Sequence, residues 1–327
     1  MLRYEQFHRQ HRFLPDSQYL IYTCRASMPG TNRHCLGVGD RFRLIGFMLR
    51  VAAAFERVLL VDWQSPMPIN VFFAPKTIDW RLNESERLQT TGLRVHRWLG
   101  HLHAPLPSDR YLRVTGNAPY ESQFPGSSDF FAPPFSTAWN FLFEPSEQLQ
   151  QAVHARRTAL FGSKRYIGLH IRMGDRAPGT AFDPITVPRR DTRLTHDEAA
   201  HIVQCVKAEH AGQPVFLATD NAALKSAVQH PTASSLAGAS LASTGASIFK
   251  DVFVQGCTAC MVNPVFLHEF PNASVEDIFV ELLLLARSSC FYFLPSNFAN
   301  LVRAIRGVQA CSIVSKKRCA SLGSSPR

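Results

Sequence analysis

The chain has 327 residues, of which 46% are hydrophobic and 18% charged, so it can bury a substantial core, and its length suggests about two domains. Its formal net charge of +10 predicts attraction to polyanions, but the arginines are scattered singly through apolar segments and no recognition motif for nucleic acid is present. We therefore expect no nucleic-acid partner. The longest apolar run is interrupted by Glu281 and Arg287, and the first residues lack the apolar centre of a signal peptide, so we expect no transmembrane segment and see no targeting signal.

The eight cysteines are too few for a disulfide scaffold in a chain of this length. Cys257 and Cys260 form a CxxC pair, but neither a second such pair nor a pair of histidines accompanies it. We therefore expect no metal site. Two or three disulfides and eight reduced thiols are both compatible with the sequence.

A glycine-containing turn separates a short apolar strand from a helix in the first part of the chain. Residues 18–24 have the composition of a strand, the motif GVGDR follows at 37–41, and apolar side chains at helical spacing predict a helix over 40–56. Glycines ahead of a helix allow a ligand to approach the backbone amides, where the helix dipole favours negative charge. A plain tight turn would use the same glycines. The next segment, 57–63, is predicted to be a strand with a polar end.

Proline, phenylalanine and tryptophan are frequent over 64–135, where no regular spacing predicts an element. Such aromatic side chains favour packing in the core and its loops. If the ligand is a glycan, its contacts are also expected in this region.

A helix is predicted over 146–160, with Ser146 as its N-cap. Gly-Ser-Lys directly after this helix marks a boundary. We therefore expect domains at 1–163 and 164–315, followed by a basic tail at 316–327.

The strand predicted at 166–172 leads into a loop that is dense with charged and turn-forming residues. Apolar side chains alternate there with His170 and Arg172, which is typical of a buried strand. Arg172 then lies at the carboxyl end of the strand, where open α/β sheets place their ligand sites. Its guanidinium suits a phosphate or a carboxylate, and Arg176 would add a second positive charge. An ordinary ion pair between Arg172 and Asp175 is the alternative.

A helix over 197–210 is followed by a second buried strand over 214–221 that also ends in polar residues. Thr219 and Asp220 at this end suit a ribose or the edge of a guanine. They equally suit the cap of a helix predicted at 222–229.

The strand predicted at 290–294 turns through Ser296 into a helix at 298–306. The amides at the start of this helix are suited to hold a phosphate at the same edge of the sheet as Arg172. A simple N-cap at Ser296 needs no ligand.

The run His170-x-Arg172-x-Gly174-Asp175 resembles the HxRxGD motif of a fucosyltransferase superfamily, which includes α1,2-, α1,6- and protein O-fucosyltransferases. In that superfamily the matching arginine neutralises the diphosphate of GDP-fucose. The motif at 37–41 is similar to the N-terminal glycine loop of the same superfamily.

Two further stretches carry the resemblance towards the end of the chain. The pair Thr219-Asp220 resembles a TD pair that contacts the nucleotide. The turn at Ser296 resembles a serine-containing turn into the final helix, with Asn297 in the place of the usual second serine. Together the matching motifs lie within 18–310.

The resemblance implies an α/β fold with two Rossmann-like domains facing a cleft, the GT-B type of glycosyltransferase. It implies that the C-terminal domain binds GDP-fucose, that the N-terminal domain binds a glycan or protein acceptor, and that transfer is inverting and needs no metal or other cofactor. Residence in the secretory pathway, in the Golgi or ER lumen, is implied as well. The implied donor-binding residues are Gly37, Gly39, His170, Arg172, Gly174, Asp175, Arg176, Thr219, Asp220, Ser296, Asn297 and Phe298.

The catalytic residues are expected to be Arg172 and a carboxylate base. The loop after Arg172 is one residue shorter than in core α1,6-fucosyltransferases and lacks their glutamate. Asp40 and Asp183 are the candidate bases, ranked above Asp175, which more often serves as a structural partner. Asp40 matches a position where protein O-fucosyltransferases carry an asparagine. The missing glutamate favours an alternative, a nucleotide-sugar- or glycan-binding protein that has lost transfer. A third hypothesis, an anion-binding module, rests on net charge alone.

Overall fold

The computed structural model describes residues 1–25, 37–98, 106–116, 135–172, 194–219, 224, 252–254, 275–294, 296–307 and 312–313. The helices in these ranges are α1 (Leu2–His11), α2 (Val38–Ala54), α3 (Glu84–Thr90), α4 (Phe135–Leu142), α5 (Glu147–Phe161), α6 (His196–Glu209), α7 (Val275–Arg287) and α8 (Asn297–Arg306). The strands are β1 (Tyr19–Cys24), β2 (Val58–Trp63), β3 (Phe73–Pro75), β4 (Val95–Trp98), β5 (Tyr111–Gly116), β6 (Phe143–Pro145), β7 (Ile167–Ile171), β8 (Val215–Thr219), β9 (Val252–Val254), β10 (Cys290–Phe293) and β11 (Ser312–Ile313). Among these helices, none is long and apolar enough to cross a bilayer.

Four parallel strands form the first sheet, in the order β2-β1-β5-β4. Helix α2 packs against β1 and β2. Because side chains alternate along a strand, the face turned away from α2 carries a second apolar cluster, which includes Ile21 and Leu60 and is covered by Phe7 of α1. The first sheet is therefore covered by helices on both faces, as an α/β fold requires.

Aromatic side chains from the stretch after β2 fill the core beside α2. Phe73 and Trp80 are fully buried, and the indole nitrogen of Trp80 donates to the last carbonyl of α4 over 2.6 Å. Rings of Phe42, Phe73, Trp139 and Phe143 pack with centroids between 4.8 and 6.0 Å apart. The expectation that aromatic residues of this region pack in the core is confirmed for Phe72, Phe73 and Trp80.

Five parallel strands form the second sheet, in the order β11-β10-β7-β8-β9, with β7 at its centre. The apolar side chains of β7, Ile167, Leu169 and Ile171, join one buried cluster with residues of α6. Gly168 points to the other face, where an added Cβ would lie 2.7 Å from Ser288 Oγ. Glycine therefore allows the turn that follows α7 to pack directly against the central strand. The alternation predicted for this strand is confirmed.

The structure shows where two of the predicted helices, α2 and α5, begin. The helix predicted at 40–56 spans Val38–Ala54, so Asp40 lies in its first turn rather than in the loop before it. Ser146 precedes α5, and its Oγ accepts a hydrogen bond from the Leu149 amide over 3.3 Å, as predicted for an N-cap. Of the helix predicted at 222–229, only Leu224 lies within the described residues, and it is helical.

Helix α1 was not predicted by the sequence pattern. Besides the packing of Phe7, side chains of α1 form hydrogen bonds with the backbone at the start of β2: the Tyr4 hydroxyl donates to the Arg57 carbonyl over 2.9 Å and accepts from the Leu59 amide over 3.0 Å. His8 Nε2 bonds to the Leu59 carbonyl over 3.1 Å. A short helix gains most of its stability from such tertiary contacts, which a local pattern does not reveal.

The chain divides into two compact units. The first contains Met1–Ala152, Asn263–Glu276 and Asn300–Val308, and the second contains Val153–Val262, Asp277–Ala299 and Gln309–Arg327. The main division falls within α5, before the boundary predicted at 163. That boundary and the basic tail at 316–327 stay predictions.

The cysteines among the described residues are Cys24, Cys205 and Cys290, and all three are disulfide-bonded. The alternative of eight reduced thiols is therefore wrong.

Candidate functional site

Arg172 directly follows β7, at the carboxyl end of the central strand of the second sheet. All five residues of β7 are buried, whereas the Arg172 side chain is exposed. The neighbouring residue of the strand, Ile171, pairs with Thr219 at the end of β8, and Thr219 is fully buried. The structure therefore places Arg172 and Thr219 at adjacent strand ends, as predicted from the sequence.

His170 lies one residue before the end of β7 and is only 2% exposed. Its ring lies 5.4 Å from the ring of Phe298 in α8, and its Nδ1 has no hydrogen-bond partner among the described residues. Burial, reinforced by the charge of Arg172, lowers the pKa of His170 to about 3, while a backbone hydrogen bond with Leu294 acts in the opposite direction. His170 is therefore neutral at physiological pH and adds no charge to the site.

Helix α8 begins at the end of β10, which is the neighbour of β7 on the side opposite β8. Ser296 Oγ accepts a hydrogen bond from the Ala299 amide over 3.0 Å, so Ser296 is the N-cap of α8. Asn297 and Phe298 form its first turn, where backbone N–H groups and the helix dipole favour an anion. A cap and a ligand role are compatible, because the cap orients this turn.

Parallel strands β10, β7 and β8 are adjacent, so their carboxyl ends meet at one edge of the second sheet. This edge combines the exposed side chain of Arg172 with the first turn of α8, next to the buried end of β8 at Thr219. Such an arrangement suits a phosphorylated ligand. The other predicted residues of this site, Gly174, Asp175, Arg176, Asp183 and Asp220, lie outside the described residues.

The GVGDR motif at 37–41 forms the start of α2. Gly37 is the N-cap, with an extended backbone, and an added Cβ there would lie 3.2 Å from Asp40 Oδ2. Gly39 is buried within the first turn of the helix, whereas Asp40 is half-buried. The small glycine at position 37 therefore leaves room for the Asp40 carboxylate.

Asp40 lies close enough to Arg41 and Tyr22 to influence both of their pKa values. Burial lowers the pKa of Arg41 to about 10, while Tyr22 and Asp40 raise it, so the guanidinium stays charged at neutral pH. It donates to the Ser65 carbonyl over 2.6 Å and lies 4.7 Å from the ring of Trp63. Burial raises the pKa of Tyr22. Asp40 therefore lies beside a fixed buried cation at the carboxyl end of the first sheet.

A cluster of charged side chains surrounds Asp62 in β2, and no motif in the sequence predicts it. Asp62 is fully buried, and its Oδ2 accepts hydrogen bonds from Arg25 Nε and Arg113 Nη2, each over 2.6 Å. Arg87 Nε lies 3.9 Å from the other carboxylate oxygen. Arg113 also donates to Thr23 Oγ1 over 3.1 Å. The Asp62 carboxylate is thus close to three arginines from separate parts of the chain. The sequence showed only that Asp62 lies at the end of a strand.

The pH dependence of stability tests the buried neutral state of His170. The unfolded chain protonates this histidine near pH 6.5 and the folded chain only near pH 3, so its contribution to stability is fully present above pH 6.5 and is lost as the pH falls. Between pH 7 and pH 5 this residue should cost the protein about 2 kcal/mol of unfolding free energy. Urea unfolding at the two pH values should show a smaller loss in His170→Gln than in the wild type.

The matched control for this measurement is His154→Gln, which changes an exposed histidine in α5. It should keep the wild-type loss of stability. His8, whose pKa burial lowers to about 4, remains in both variants and should contribute equally to each. An unchanged pH dependence in His170→Gln would contradict the buried neutral state.

The described residues thus define an α/β protein with two parallel sheets and a candidate anion site at the end of the central strand of the second sheet. No family model matches the chain, and no curated protein matches it by sequence. Solved structures do match its fold.

A variant of FUT1 from Arabidopsis thaliana in complex with GDP has a TM-score of 0.58 at 14% identity, over 94% of this chain and 77% of that chain. NodZ α1,6-fucosyltransferase from Bradyrhizobium, soaked with GDP-fucose, has a TM-score of 0.52 at 15% identity, over 88% of this chain and 93% of that chain. POFUT1 in complex with GDP-fucose has a TM-score of 0.51 at 11% identity, over 93% of this chain and 98% of that chain. This chain therefore has the fold of the GDP-fucose-dependent fucosyltransferases that its motifs resemble.

Proposed function

We propose that this protein is a fucosyltransferase that moves L-fucose from GDP-fucose to a hydroxyl of a glycan or protein, with inversion and without a metal ion. The observation that carries the proposal is the position of Arg172. It directly follows the central strand of the second sheet, at the sheet edge where α8 also begins, in a fold similar to structures that hold GDP or GDP-fucose. We propose the GT-B arrangement of two Rossmann-like domains on the same grounds.

The chemistry of transfer requires groups that stabilise a leaving anion. When the acceptor oxygen attacks C1 of fucose, the bond between C1 and the phosphate oxygen breaks and its electron pair leaves with GDP. Arg172 and the first turn of α8 are suited to stabilise the charge that develops on the diphosphate. Arg176 would add a second cation, and Asp220 would orient the nucleotide.

A base must accept the proton that the acceptor hydroxyl loses. We propose Asp40 as the first candidate for this carboxylate base and Asp183 as the second. Asp40 is half-buried at the start of α2, next to the buried, positively charged guanidinium of Arg41. Attack on the face of the sugar opposite the diphosphate would invert its configuration. The acceptor would then bind mainly to the first unit, which contains Asp40.

Replacing Asp40 with asparagine should lower kcat about 100-fold, because a general base contributes at least that factor, while GDP affinity stays within about twofold. The measurement is the rate of fucose transfer alongside calorimetric titration of GDP. The control is Asp16→Asn, which changes an exposed aspartate of the same unit and should retain wild-type turnover. A large loss in Asp183→Asn alone would assign the base to that residue, and full activity in both variants would exclude both.

Incubation with GDP-fucose and a panel of glycan and peptide acceptors, with a metal chelator present, tests the function as a whole. Fucosylated product detected by mass spectrometry would support the transferase. The missing loop glutamate favours a second candidate, a nucleotide-sugar-binding protein without transfer activity, which would bind GDP-fucose and give no product with any acceptor.

We also propose that the protein works in the secretory pathway. The disulfide bonds of Cys24, Cys205 and Cys290 support this location, because disulfides persist in oxidising compartments. Detection of these disulfides by peptide mapping of protein isolated without reductant would support the proposal, and free thiols at all three positions would contradict it.

A further inference from the structure

A pocket of about 310 Å³ lies at the opposite edge of the second sheet from Arg172. It is lined by Arg157, Arg165, Tyr166, Arg287 and Ser289. Tyr166 directly precedes β7 and Ser289 directly precedes β10, so the pocket lies at the amino ends of these adjacent parallel strands. It is therefore separate from the candidate nucleotide site, which lies at the carboxyl ends.

Three of the five lining residues are arginines, and no salt bridge joins them to a carboxylate of the described residues. Arg165 and Arg287 are exposed, and Arg157 is half-buried and donates to the Gly162 carbonyl over 3.4 Å. The preceding residue of α5 differs, because Arg156 points to Asp277 and pairs with it at 3.2 Å. The pocket therefore collects positive charge that is not paired with any acidic side chain of the described residues. A bound oxyanion would relieve this repulsion.

Two residues that line the pocket, Tyr166 and Ser289, are held in place by contacts with neighbouring residues. The ring of Tyr166 stacks on Phe161 with centroids 4.2 Å apart, and its hydroxyl donates to the Leu284 carbonyl over 2.7 Å. Ser289 Oγ donates to the Tyr166 carbonyl over 2.8 Å. A rigid lining reduces the ordering that a ligand must impose on the protein when it binds.

We propose that this pocket is a second anion site, which binds a multiply charged phosphate or sulfate group. Guanidinium groups bind such oxyanions through paired hydrogen bonds, and three of them around one pocket match a group with several negatively charged oxygens. The volume suits an anion the size of pyrophosphate or one sulfated sugar. The same chemistry occurs in free polyphosphates and in sulfated glycans, and the experiment separates these sources.

The test is calorimetric titration of inorganic pyrophosphate, and separately of a trisulfated heparin disaccharide, into the full chain with saturating GDP and no divalent ion. GDP occupies the candidate nucleotide site, so binding of either probe reports on a second site. The pocket variant is Arg165→Gln with Arg287→Gln. Its matched control is Arg3→Gln with Arg94→Gln, which removes the same charge from exposed arginines of the first unit.

We expect the pocket variant to bind the probe at least about tenfold more weakly than the wild type, and the control to stay within about twofold. Binding of pyrophosphate alone would identify a free polyphosphate as the ligand, and binding of the disaccharide alone a sulfated glycan. Equal losses in both variants would show general attraction to a basic protein and overturn the site, as would the absence of binding by both probes. The pocket variant keeps Arg172, so its GDP affinity should be unchanged, and the comparison with the control variant applies whether or not the protein transfers fucose.

Discussion

Replacing Arg172 with alanine is expected to lower kcat/KM for fucose transfer by about 10⁴-fold, the combined effect of lost donor affinity and lost transition-state stabilisation. GDP affinity alone should fall about 100-fold, because paired, charge-assisted hydrogen bonds to phosphate are removed. The rest of the decrease in kcat/KM should appear as a lower kcat, because the negative charge on the diphosphate is greatest when the bond to fucose breaks. Titration of GDP and steady-state kinetics without divalent ions measure the two parts separately.

Two further variants sharpen this test. Arg172→Lys keeps the charge but loses the planar pair of donors, so its GDP affinity should lie between those of the wild type and Arg172→Ala. Arg94→Ala removes an exposed arginine of the first unit and should bind GDP as the wild type does. Since the Arg172 side chain is itself exposed, its loss should leave the fold intact. Equal GDP affinity in the wild type and Arg172→Ala would refute the nucleotide site.

The second sheet was more predictable from sequence than the first. In β7, apolar side chains alternate with Gly168 and His170. This alternation indicates which side chains face each of the two helix layers, because a central strand buries both of its faces. Ser146 and Ser296 were predictable as caps, since capping is a local interaction between a side chain and the next turn. Local patterns therefore identified the strand, the helix start and the arginine that form the candidate site.

The first sheet depends on contacts that are distant in sequence. Its strand β5 contains Arg113, a charged residue in a short segment, and no alternation of apolar and polar side chains marks it as a buried strand. Arg57 is buried because its guanidinium donates to carbonyls of Tyr19, Pro107 and Asp109, which lie far away along the chain. In the sequence these arginines stand singly in apolar segments, and nothing nearby along the chain identifies their partners. The fold uses them to satisfy buried carbonyl and carboxylate groups.

We expect the stability of the first unit to depend strongly on one such contact, between Asp62 and the arginines around it. Asp62→Asn should lower the free energy of unfolding by about 3–5 kcal/mol, because it removes the charge that compensates buried arginines. Arg113 is 2% exposed and Arg25 donates to the same oxygen, so water cannot replace the lost carboxylate for both. For a chain of this size the midpoint of thermal unfolding should fall by about 4–7 °C. Urea and thermal unfolding measure both values.

The matched control is Asp79→Asn, which breaks an ion pair with Arg81 whose two side chains are 45% and 55% exposed. That change should cost less than about 1 kcal/mol, because water screens and solvates both groups. The double variant Asp62→Asn with Arg25→Gln should recover part of the loss, since one uncompensated cation is then removed. Similar stability of Asp62→Asn and Asp79→Asn would show that the buried cluster is not under electrostatic control. A large loss that Arg25→Gln reduces would show that charge compensation by Asp62 holds β1, β2 and β5 together at the end of the sheet where Asp40 lies.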